Sequence, residues 1–371
     1  MRAVNLLVFR GDQRLVCGHR LKSSLIEQLR LLWADESCER LIGALLRAGE
    51  VECGLADVRA ERVHSAEILT DHLADALVQS QCGCLAAEGQ SSIWRPANSQ
   101  NTSLQNLLDA VRDLPEIEQI SISTPEGFAY YALHPLAYAD VLERISRAED
   151  SLLIVGIRSI GTTLSAVMAA AARLRGITAE RFTVRPQGHP YNRTAEFSAR
   201  QLLAIEQYVS SGATFAVVDE GPGLSGSSFL AVSEALERAG ARREKIVLVS
   251  SHAPNADALC ANDAARRWQR YNCVAVSEET RRPAEAIDFI GGGQWRGHAF
   301  ASQQEWPATW TSFERLKYVS SEADKQDDKR LYKFTGLGHY GDQVFERELK
   351  VAAAGFGPLP RRESDGFASY P

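Results

Sequence analysis

Apolar residues in the first third of the chain recur at three- and four-residue intervals, the spacing that lines one face of a helix. Helices are predicted over Ser24–Trp33, Cys38–Ala48 and Ser65–Val78. Two short apolar stretches between them, Leu15–Cys17 and Glu50–Leu55, are predicted to be strands. A polar stretch with a proline at 89–103 is typical of a loop or linker. Residues 1–115 are therefore expected to form a mostly helical N-terminal extension.

From residue 116 the pattern changes to short apolar runs that alternate with amphipathic stretches. The runs predict strands over Gln119–Ser123, Ser151–Ile157, Arg181–Val184, Thr214–Val218 and Lys245–Ser250. The stretches predict helices over Pro135–Ala148, Thr162–Leu174, Ala195–Ser210 and Ser227–Ala239. Strands without polar alternation are buried on both faces, as in a parallel sheet covered by helices. The predicted fold is an α/β core at 116–280, followed by an irregular C-terminal region at 281–371.

Composition agrees with a folded protein. A length of 371 residues, at about 100–200 per domain, suggests about two domains, or one domain with substantial additions. The chain carries 41 Lys and Arg against 47 Asp and Glu, a net charge of −6. This balance disfavours a protein that coats nucleic acid or an anionic membrane. No stretch approaches the roughly 20 apolar residues of a membrane span, so no membrane association is expected.

The cysteines indicate a reducing environment. The chain has 7 cysteines, which are odd in number and scattered, unlike a disulfide framework. Cys82 and Cys84 form the closest pair, but their spacing suits neither C-x-x-C redox chemistry nor zinc. Incidental thiols in a cytoplasmic protein are the favoured interpretation, and a metal or redox site is the alternative.

The most informative chemistry lies where one predicted buried strand ends. Asp219 and Glu220 follow the strand Thr214–Val218, and a Gly/Ser-rich loop then leads into a helix at Ser227. Ligands of open parallel sheets bind beyond the carboxyl ends of the strands. The N–H groups of such a loop suit an anion, whereas adjacent carboxylates suit sugar hydroxyls and a magnesium ion bound with them. The combination indicates a sugar phosphate.

Three other interpretations of this segment compete. Residues 221–226 fit the pattern G-x-G-x-x-G, but a dinucleotide fold also needs an acid after the next strand, which ends in Val249-Ser250-Ser251-His252. A P-loop needs a lysine after the glycines, and none is present. An ordinary strand-to-helix turn, with solvated acids and Ser225 or Ser227 as the helix cap, remains open.

The segment resembles the phosphoribosyl-diphosphate binding signature of type I phosphoribosyltransferases, in which a hydrophobic strand precedes two acids and a short loop. The resemblance implies that Asp219 and Glu220 are catalytic residues that hold the ribose hydroxyls, with Mg²⁺ bound through those hydroxyls. It further implies that the 5-phosphate is cradled by Gly223, Leu224, Ser225, Gly226 and Ser227. The chain departs from the family pattern at Glu220, where Asp is commoner, at Gly221-Pro222, which replace apolar residues, and at Gly223-Leu224, which lack the usual hydroxyls.

A second segment, 153–164, is similar to the diphosphate loop of the same family, where a strand ends in glycine before a helix. The similarity implies diphosphate contacts from Arg158, Ser159, Ile160 and Gly161. Arg158 would supply a permanent cation with bidentate geometry, and a surface arginine is the alternative. Between the two loops, Arg185, His189 and Arg193 suit the mobile lid of the family, and an ordinary exposed turn is the alternative.

The resemblance implies a glycosyltransferase of nucleotide metabolism. It would transfer phosphoribosyl from phosphoribosyl diphosphate to an unidentified base or amine, with release of pyrophosphate. The expected partners are that diphosphate and a small-molecule acceptor, without a membrane or nucleic acid, and a homodimer is a compatible assembly. The alternative is a non-catalytic sensor or regulator that binds phosphoribosyl diphosphate or a nucleotide at the same site, because a fold does not fix a function.

The C-terminal region contains a second G-x-G-x-x-G, at Gly336–Gly341. It faintly resembles the glycine-rich nucleotide loop of small-molecule kinases. The favoured interpretation is a structural turn, and the remnant of a longer protein is the alternative.

Overall fold

The structure is a computed structural model. It describes residues 13–34, 37–58, 63–87, 104–115, 118–145, 151–276, 281–311, 314–320 and 329–371. The predicted linker at 89–103 lies outside the described residues, as do the side chains of Cys82 and Cys84.

Twelve helices and fourteen strands are assigned in the described ranges. The helices are α1 Gly18–Ala34, α2 Cys38–Asp57, α3 Val63–Ala87, α4 Leu104–Arg112, α5 Glu126–Tyr130, α6 Leu142–Ile145, α7 Ile160–Leu174, α8 Ala199–Ser210, α9 Ser227–Arg238, α10 Ala264–Trp268, α11 Arg296–Ala299 and α12 Gly338–Ala353. The strands are β1 Gln13–Cys17, β2 Gln119–Ser123, β3 Ser151–Ile157, β4 Thr178–Val184, β5 Gln187–His189, β6 Asn192–Thr194, β7 Thr214–Val218, β8 Ile246–Ser250, β9 Asn272–Ala275, β10 Asp288–Phe289, β11 Lys317–Val319, β12 Leu331–Phe334, β13 Arg361–Arg362 and β14 Phe367–Tyr370. Within these ranges, none of the helices has the length and apolar character needed to cross a membrane.

The predicted α/β class is confirmed by a five-stranded parallel sheet. Its strand order is β4-β3-β7-β8-β9, and every neighbouring pair is parallel. The central strand β7 and its neighbour β8 are buried at every position. In the register of β3 and β7, Gly156 lies opposite Val218. The turns that follow these two strands therefore begin side by side.

The expected strand Gln119–Ser123 forms as β2, but the prediction that it belongs with the parallel strands is wrong. It pairs antiparallel with β1 in a separate two-stranded sheet. Ile120 and Ile122 are buried, whereas the residues between and beside them are not. One-sided burial of this kind is typical of an antiparallel pair with one solvated face.

The prediction of a strand at Glu50–Leu55 is also wrong, because these residues form the last third of α2. All residues from Ala48 to Ala56 are buried, so no polar face marks the helical period. Glu52 is buried as the bidentate partner of Arg181 in β4, with both N–O distances at 2.9 Å. The N-terminal helices are thus packed against the parallel sheet.

The helix predicted over Pro135–Ala148 is replaced by two shorter pieces. A 3₁₀ turn covers Pro135–Tyr138, and α6 follows it. Tyr138 is completely buried, and its hydroxyl donates to the carbonyl oxygen of Asp219 at 2.9 Å. This tertiary contact overrides the local helical preference, which is a weak determinant by comparison.

Backbone contacts divide the chain into two compact units. The first contains Met1–Thr124 and Pro135–Glu278, and the second contains Pro125–His134 and Glu279–Pro371. The second unit has its own antiparallel sheet of order β10-β11-β12-β14-β13. Its core includes the rings of Phe334 and Phe367, whose centroids are 5.5 Å apart.

The second glycine motif is the turn between β12 and α12. A Cβ on Gly341 would lie 2.1 Å from the carbonyl oxygen of Gly336, and one on Gly366 would lie 2.6 Å from the same atom. Backbone segments therefore touch here, and a side chain would separate them. In the first turn of α12, His339 and Tyr340 are buried. Close packing within the second unit accounts for these glycines.

Candidate functional site

The two segments singled out from the sequence meet at the carboxyl ends of β3 and β7. A Cβ on Gly161 would lie 2.4 Å from the carbonyl oxygen of Val218, so the turn at 158–161 rests directly on the end of β7. From this position the Gly161 N–H donates to the Asp219 carboxylate. The acid pair and the turn before α7 form one site.

The carboxyl group of Asp219 has a pKa close to neutral pH. It is partly buried, and it accepts the N–H of Glu220 at 2.9 Å and that of Gly161. Burial raises the pKa of Asp219 to about 7, even though these N–H groups and the charges of Arg185 and Arg193 lower it. Near neutral pH the group can therefore change its charge, as ligand-binding and catalytic carboxyls often do.

The backbone of the acid pair is fixed by contacts from neighbouring segments. Ser251 N–H donates to the Glu220 carbonyl at 2.7 Å, and Asp219 N–H donates to Val249 at 3.3 Å. Tyr138 donates to the Asp219 carbonyl from the other side. Burial raises the pKa of Tyr138 well above its ordinary value, so its hydroxyl stays a neutral donor. Tyr138 is not among the residues expected at the site from the sequence, because it lay inside a predicted helix.

The turn after the acids presents a row of backbone donors. Gly223 and Gly226 adopt left-handed backbone angles, with φ of 58° and 70°. Within the described ranges, the N–H groups of Gly223, Leu224 and Ser225 have no hydrogen-bond acceptor. Successive N–H groups in such turns form anion-binding nests, and the start of α9 adds the positive end of a helix dipole.

Packing gives Gly226 a different role from the one that its place in the loop suggests. A Cβ at this position would lie 2.9 Å from Leu259 and 3.4 Å from the Trp268 ring. The absent side chain makes room for these two residues, and the left-handed φ favours glycine independently.

The predicted lid contains a hairpin of β5 and β6, whose tip touches the turn that leads into α9. The Pro190 carbonyl oxygen accepts the Ser225 hydroxyl at 2.9 Å and the Ser227 hydroxyl at 2.5 Å. His189 is exposed, and its Nδ1 accepts the Tyr191 N–H at 3.2 Å, which serves the hairpin turn itself. Arg193 donates to the Pro186 carbonyl at 3.4 Å. Both serine hydroxyls therefore face the hairpin.

Arg158, expected at the diphosphate, and Arg185, expected in the lid, share a carboxylate from the N-terminal helices. Arg185 holds Asp57 with two bonds, Nε to Oδ1 at 3.0 Å and Nη2 to Oδ2 at 2.6 Å. Arg158 Nη1 donates to the same Oδ1 at 2.9 Å. Asp57 lies in the last turn of α2, and nothing in its local sequence identifies it as a site residue.

The turn between β3 and α7 has a strained backbone. Ser159 has φ 114° and ψ −107°, a conformation that costs a non-glycine residue on the order of 1–3 kcal/mol. The N–H groups of Ser159 and Ile160 have no acceptor in the part of the chain that the structure describes. Strain of this kind clusters at ligand sites, so this turn is a second place where the backbone can receive an anion.

Cys53 of α2 contacts the strained turn and the first residues of α7. Its Sγ lies 3.7 Å from the Ser159 carbonyl oxygen and 2.9 Å from the Thr162 hydroxyl. Burial raises the pKa of Cys53 to about 11, so the group stays a neutral thiol and is not a nucleophile at neutral pH.

The residues present fit a magnesium ion that is shared with a ligand. Among the described residues, no three His, Cys, Asp or Glu side chains gather as they would around a resident metal. Mg²⁺, however, usually takes one or two carboxylates and completes its shell with water and substrate oxygens. The adjacent carboxylates of Asp219 and Glu220 meet that requirement.

Comparisons of the chain with known protein families, with curated proteins and with solved structures find no match.

Proposed function

We propose that the first unit binds phosphoribosyl diphosphate and transfers its phosphoribosyl group to a base or amine, with release of pyrophosphate. One observation carries the proposal. The acid pair Asp219-Glu220 lies between two turns with unpaired backbone N–H groups, at the carboxyl ends of neighbouring parallel strands. An anion–diol–anion ligand matches this order of donors, acceptors and donors.

Each part of the ligand has a counterpart in the site. The 5-phosphate would receive the N–H groups of residues 223–225 and the dipole of α9. The ribose hydroxyls would donate to Asp219 and Glu220. The diphosphate would receive the N–H groups of Ser159 and Ile160 at the start of α7. The serine hydroxyls would join the 5-phosphate once the Pro190 carbonyl releases them.

The protein contributes placement and charge to the proposed reaction. The acceptor nitrogen forms a bond to C1 of the ribose, the bond from C1 to the diphosphate oxygen breaks, and pyrophosphate leaves with the electron pair. The nitrogen then releases its proton to water. Fixed N–H groups around the leaving group stabilise the charge that develops there, and the acids orient the sugar. Mg²⁺ held by Asp219, Glu220 and ligand oxygens would supply further positive charge.

The first test is direct binding. Calorimetry with ribose 5-phosphate, and with phosphoribosyl diphosphate and Mg²⁺, should show binding to the wild-type protein and none to an Asp219→Ala/Glu220→Ala variant that stays folded. Glu244→Ala, which removes an exposed carboxylate outside the site, should bind as wild type. A wild-type protein that binds neither compound contradicts the proposal.

The second test is turnover. Incubation with phosphoribosyl diphosphate, Mg²⁺ and a panel of bases and amines should release pyrophosphate with at least one acceptor. Binding without turnover for every acceptor would favour a regulator that senses the same ligand, because a binding site alone is sufficient for that role.

A further inference from the structure

The last turn of α2 places a carboxylate at the centre of an arginine cluster. Asp57 is 28% exposed, and it receives one bond from Arg158 and two from Arg185. A carboxylate at the C-terminal end of a helix is disfavoured by the helix dipole. Two guanidinium groups offset that cost here, and Arg158 also donates to the carbonyl of Ala56 at 3.3 Å.

Every nitrogen of these two guanidinium groups already has an acceptor in the protein. Arg185 uses Nε and Nη2 on Asp57 and Nη1 on the Arg158 carbonyl at 3.2 Å. Arg158 uses Nη1 on Asp57 and places Nε and Nη2 at 3.4 Å from oxygens of Thr183. These bonds use three of the five N–H donors of Arg185 and, with the bond to Ala56, four of the five of Arg158, so the protein itself sets the orientation of both side chains.

The contacts of Arg185 and Cys53 converge on the strained turn at Ser159. Arg185 holds the carbonyl just before Ser159, and Cys53 of α2 lies against the carbonyl of Ser159 itself. Residues far apart in sequence thus hold both peptide units around the residue with φ 114°. Strained backbone persists only where the surrounding structure over-determines it, and α2 supplies a large part of that structure.

We propose that Asp57 is a positioning residue for the diphosphate half of the site. It holds Arg185 and Arg158, and through them the β3–α7 turn whose N–H groups receive the diphosphate. This inference rests on the proposed function and extends it to the N-terminal helices. A competing arrangement, in which Asp57 merely occupies an arginine pair that the ligand would otherwise take, predicts the opposite change in affinity when Asp57 is neutralised.

The test compares two probes that reach different halves of the site. Calorimetry of the full chain would measure ribose 5-phosphate, and inorganic pyrophosphate with Mg²⁺, for the wild type, Asp57→Asn and Asp57→Glu. Asp57→Asn should weaken pyrophosphate by tenfold or more and leave ribose 5-phosphate within twofold, since the 5-phosphate turn has no contact with Asp57. Asp57→Glu, which keeps the charge, should restore part of the pyrophosphate affinity.

Asp75→Asn is the matched control. Asp75 lies on α3, is 24% exposed, and pairs with Arg173 of α7 at 2.7 Å. The substitution therefore removes a similar ion pair between an N-terminal helix and the core, outside the site. It should leave both affinities unchanged. Equal or tighter pyrophosphate binding by Asp57→Asn overturns the inference and leaves the proposed function intact. A wild-type protein that binds neither probe overturns both.

Discussion

The Asp219 carboxyl group is partly buried and has two N–H donors, and the effect of burial on its pKa prevails. An unfolded aspartate titrates near pH 3.9, whereas folded Asp219 has a pKa of about 7. Between these values the folded state keeps a proton that the unfolded state has released. The wild type therefore loses stability as the pH rises from about 4 to about 7, and the loss persists above that range.

Asp219→Asn removes this titration, so it should stabilise the protein at alkaline pH. We expect a gain on the order of 2–4 kcal/mol over the wild type near pH 8 and almost none near pH 3.5. Urea unfolding of both proteins at the two pH values would measure it. An equal difference at both values would contradict the shifted pKa.

The same variant should lose ribose 5-phosphate binding, whereas wild-type affinity should rise with pH through about 7, since an ionised carboxylate accepts both hydroxyl protons better.

Gly161→Ala tests whether the two turns need direct backbone contact. The new Cβ would lie 2.4 Å from the Val218 carbonyl oxygen, so one backbone segment must move. We expect a loss of about 3 kcal/mol in unfolding free energy, near the upper end for an overpacked site, together with loss of ligand binding. Denaturant unfolding and calorimetry would measure the two effects.

Gly223→Ala is the control for that prediction. A Cβ at Gly223 meets no atom within 4 Å, but φ is 58°, so only the left-handed conformation is penalised. The cost should be about 1–2 kcal/mol. A Gly161→Ala protein that is no less stable than Gly223→Ala would contradict an added cost of backbone contact at Gly161.

At the scale of elements, the sequence predicts best those strands that are apolar throughout. The predicted bounds Ser151–Ile157 and Thr214–Val218 agree with β3 and β7, because continuous burial between helix layers leaves an unbroken apolar run. Continuous burial is also the reason that the prediction at Glu50–Leu55 is wrong. A helix buried on all sides also loses its polar face, and a short apolar run does not distinguish the two structures.

The residues of the candidate site likewise fall into two groups, those that the sequence reveals and those that only the fold brings together. Asp219, Glu220 and the turn after them are contiguous along the chain, so the sequence by itself displays their pattern. Asp57 lies 128 residues from Arg185, and Tyr138 lies 81 residues from Asp219. Contacts over such separations leave no local pattern, and only the fold brings these residues together.

The hairpin of β5 and β6 depends on the two serines beneath its tip. A Ser225→Ala/Ser227→Ala variant removes both donors to the Pro190 carbonyl. Each bond contributes about 0.5–1.5 kcal/mol, so amide hydrogen exchange in residues 187–194 should accelerate by roughly tenfold. Ser233→Ala, which removes a hydroxyl bonded within α9, should leave this exchange unchanged. Unaltered exchange in the double variant would mean that other contacts hold the hairpin.

At the scale of the whole molecule, the second unit is assembled from two separate parts of the chain. Pro125–His134 belongs to it, although this segment lies between parts of the first unit in sequence. Phe128 is 1% exposed, and its carbonyl accepts the Leu337 N–H at 2.9 Å. The Ala129 carbonyl accepts Arg315 Nη1, also at 2.9 Å. The predicted single boundary before residue 281 leaves α5 out of the second unit, because α5 joins that unit only through contacts between residues far apart in sequence.

A fragment of residues 281–371 should therefore fail to fold by itself. Without α5, the space filled by Phe128 becomes a cavity, and such losses of a buried Phe cost about 3–5 kcal/mol. Arg315 also loses a buried acceptor, which adds about 1–3 kcal/mol. These costs together approach the whole stability of a small domain, about 5–15 kcal/mol. The fragment should give a poorly dispersed proton NMR spectrum, whereas a fragment with residues 125–134 joined through a flexible linker should give a dispersed one. A dispersed spectrum from 281–371 alone would show that α5 is dispensable to the second unit.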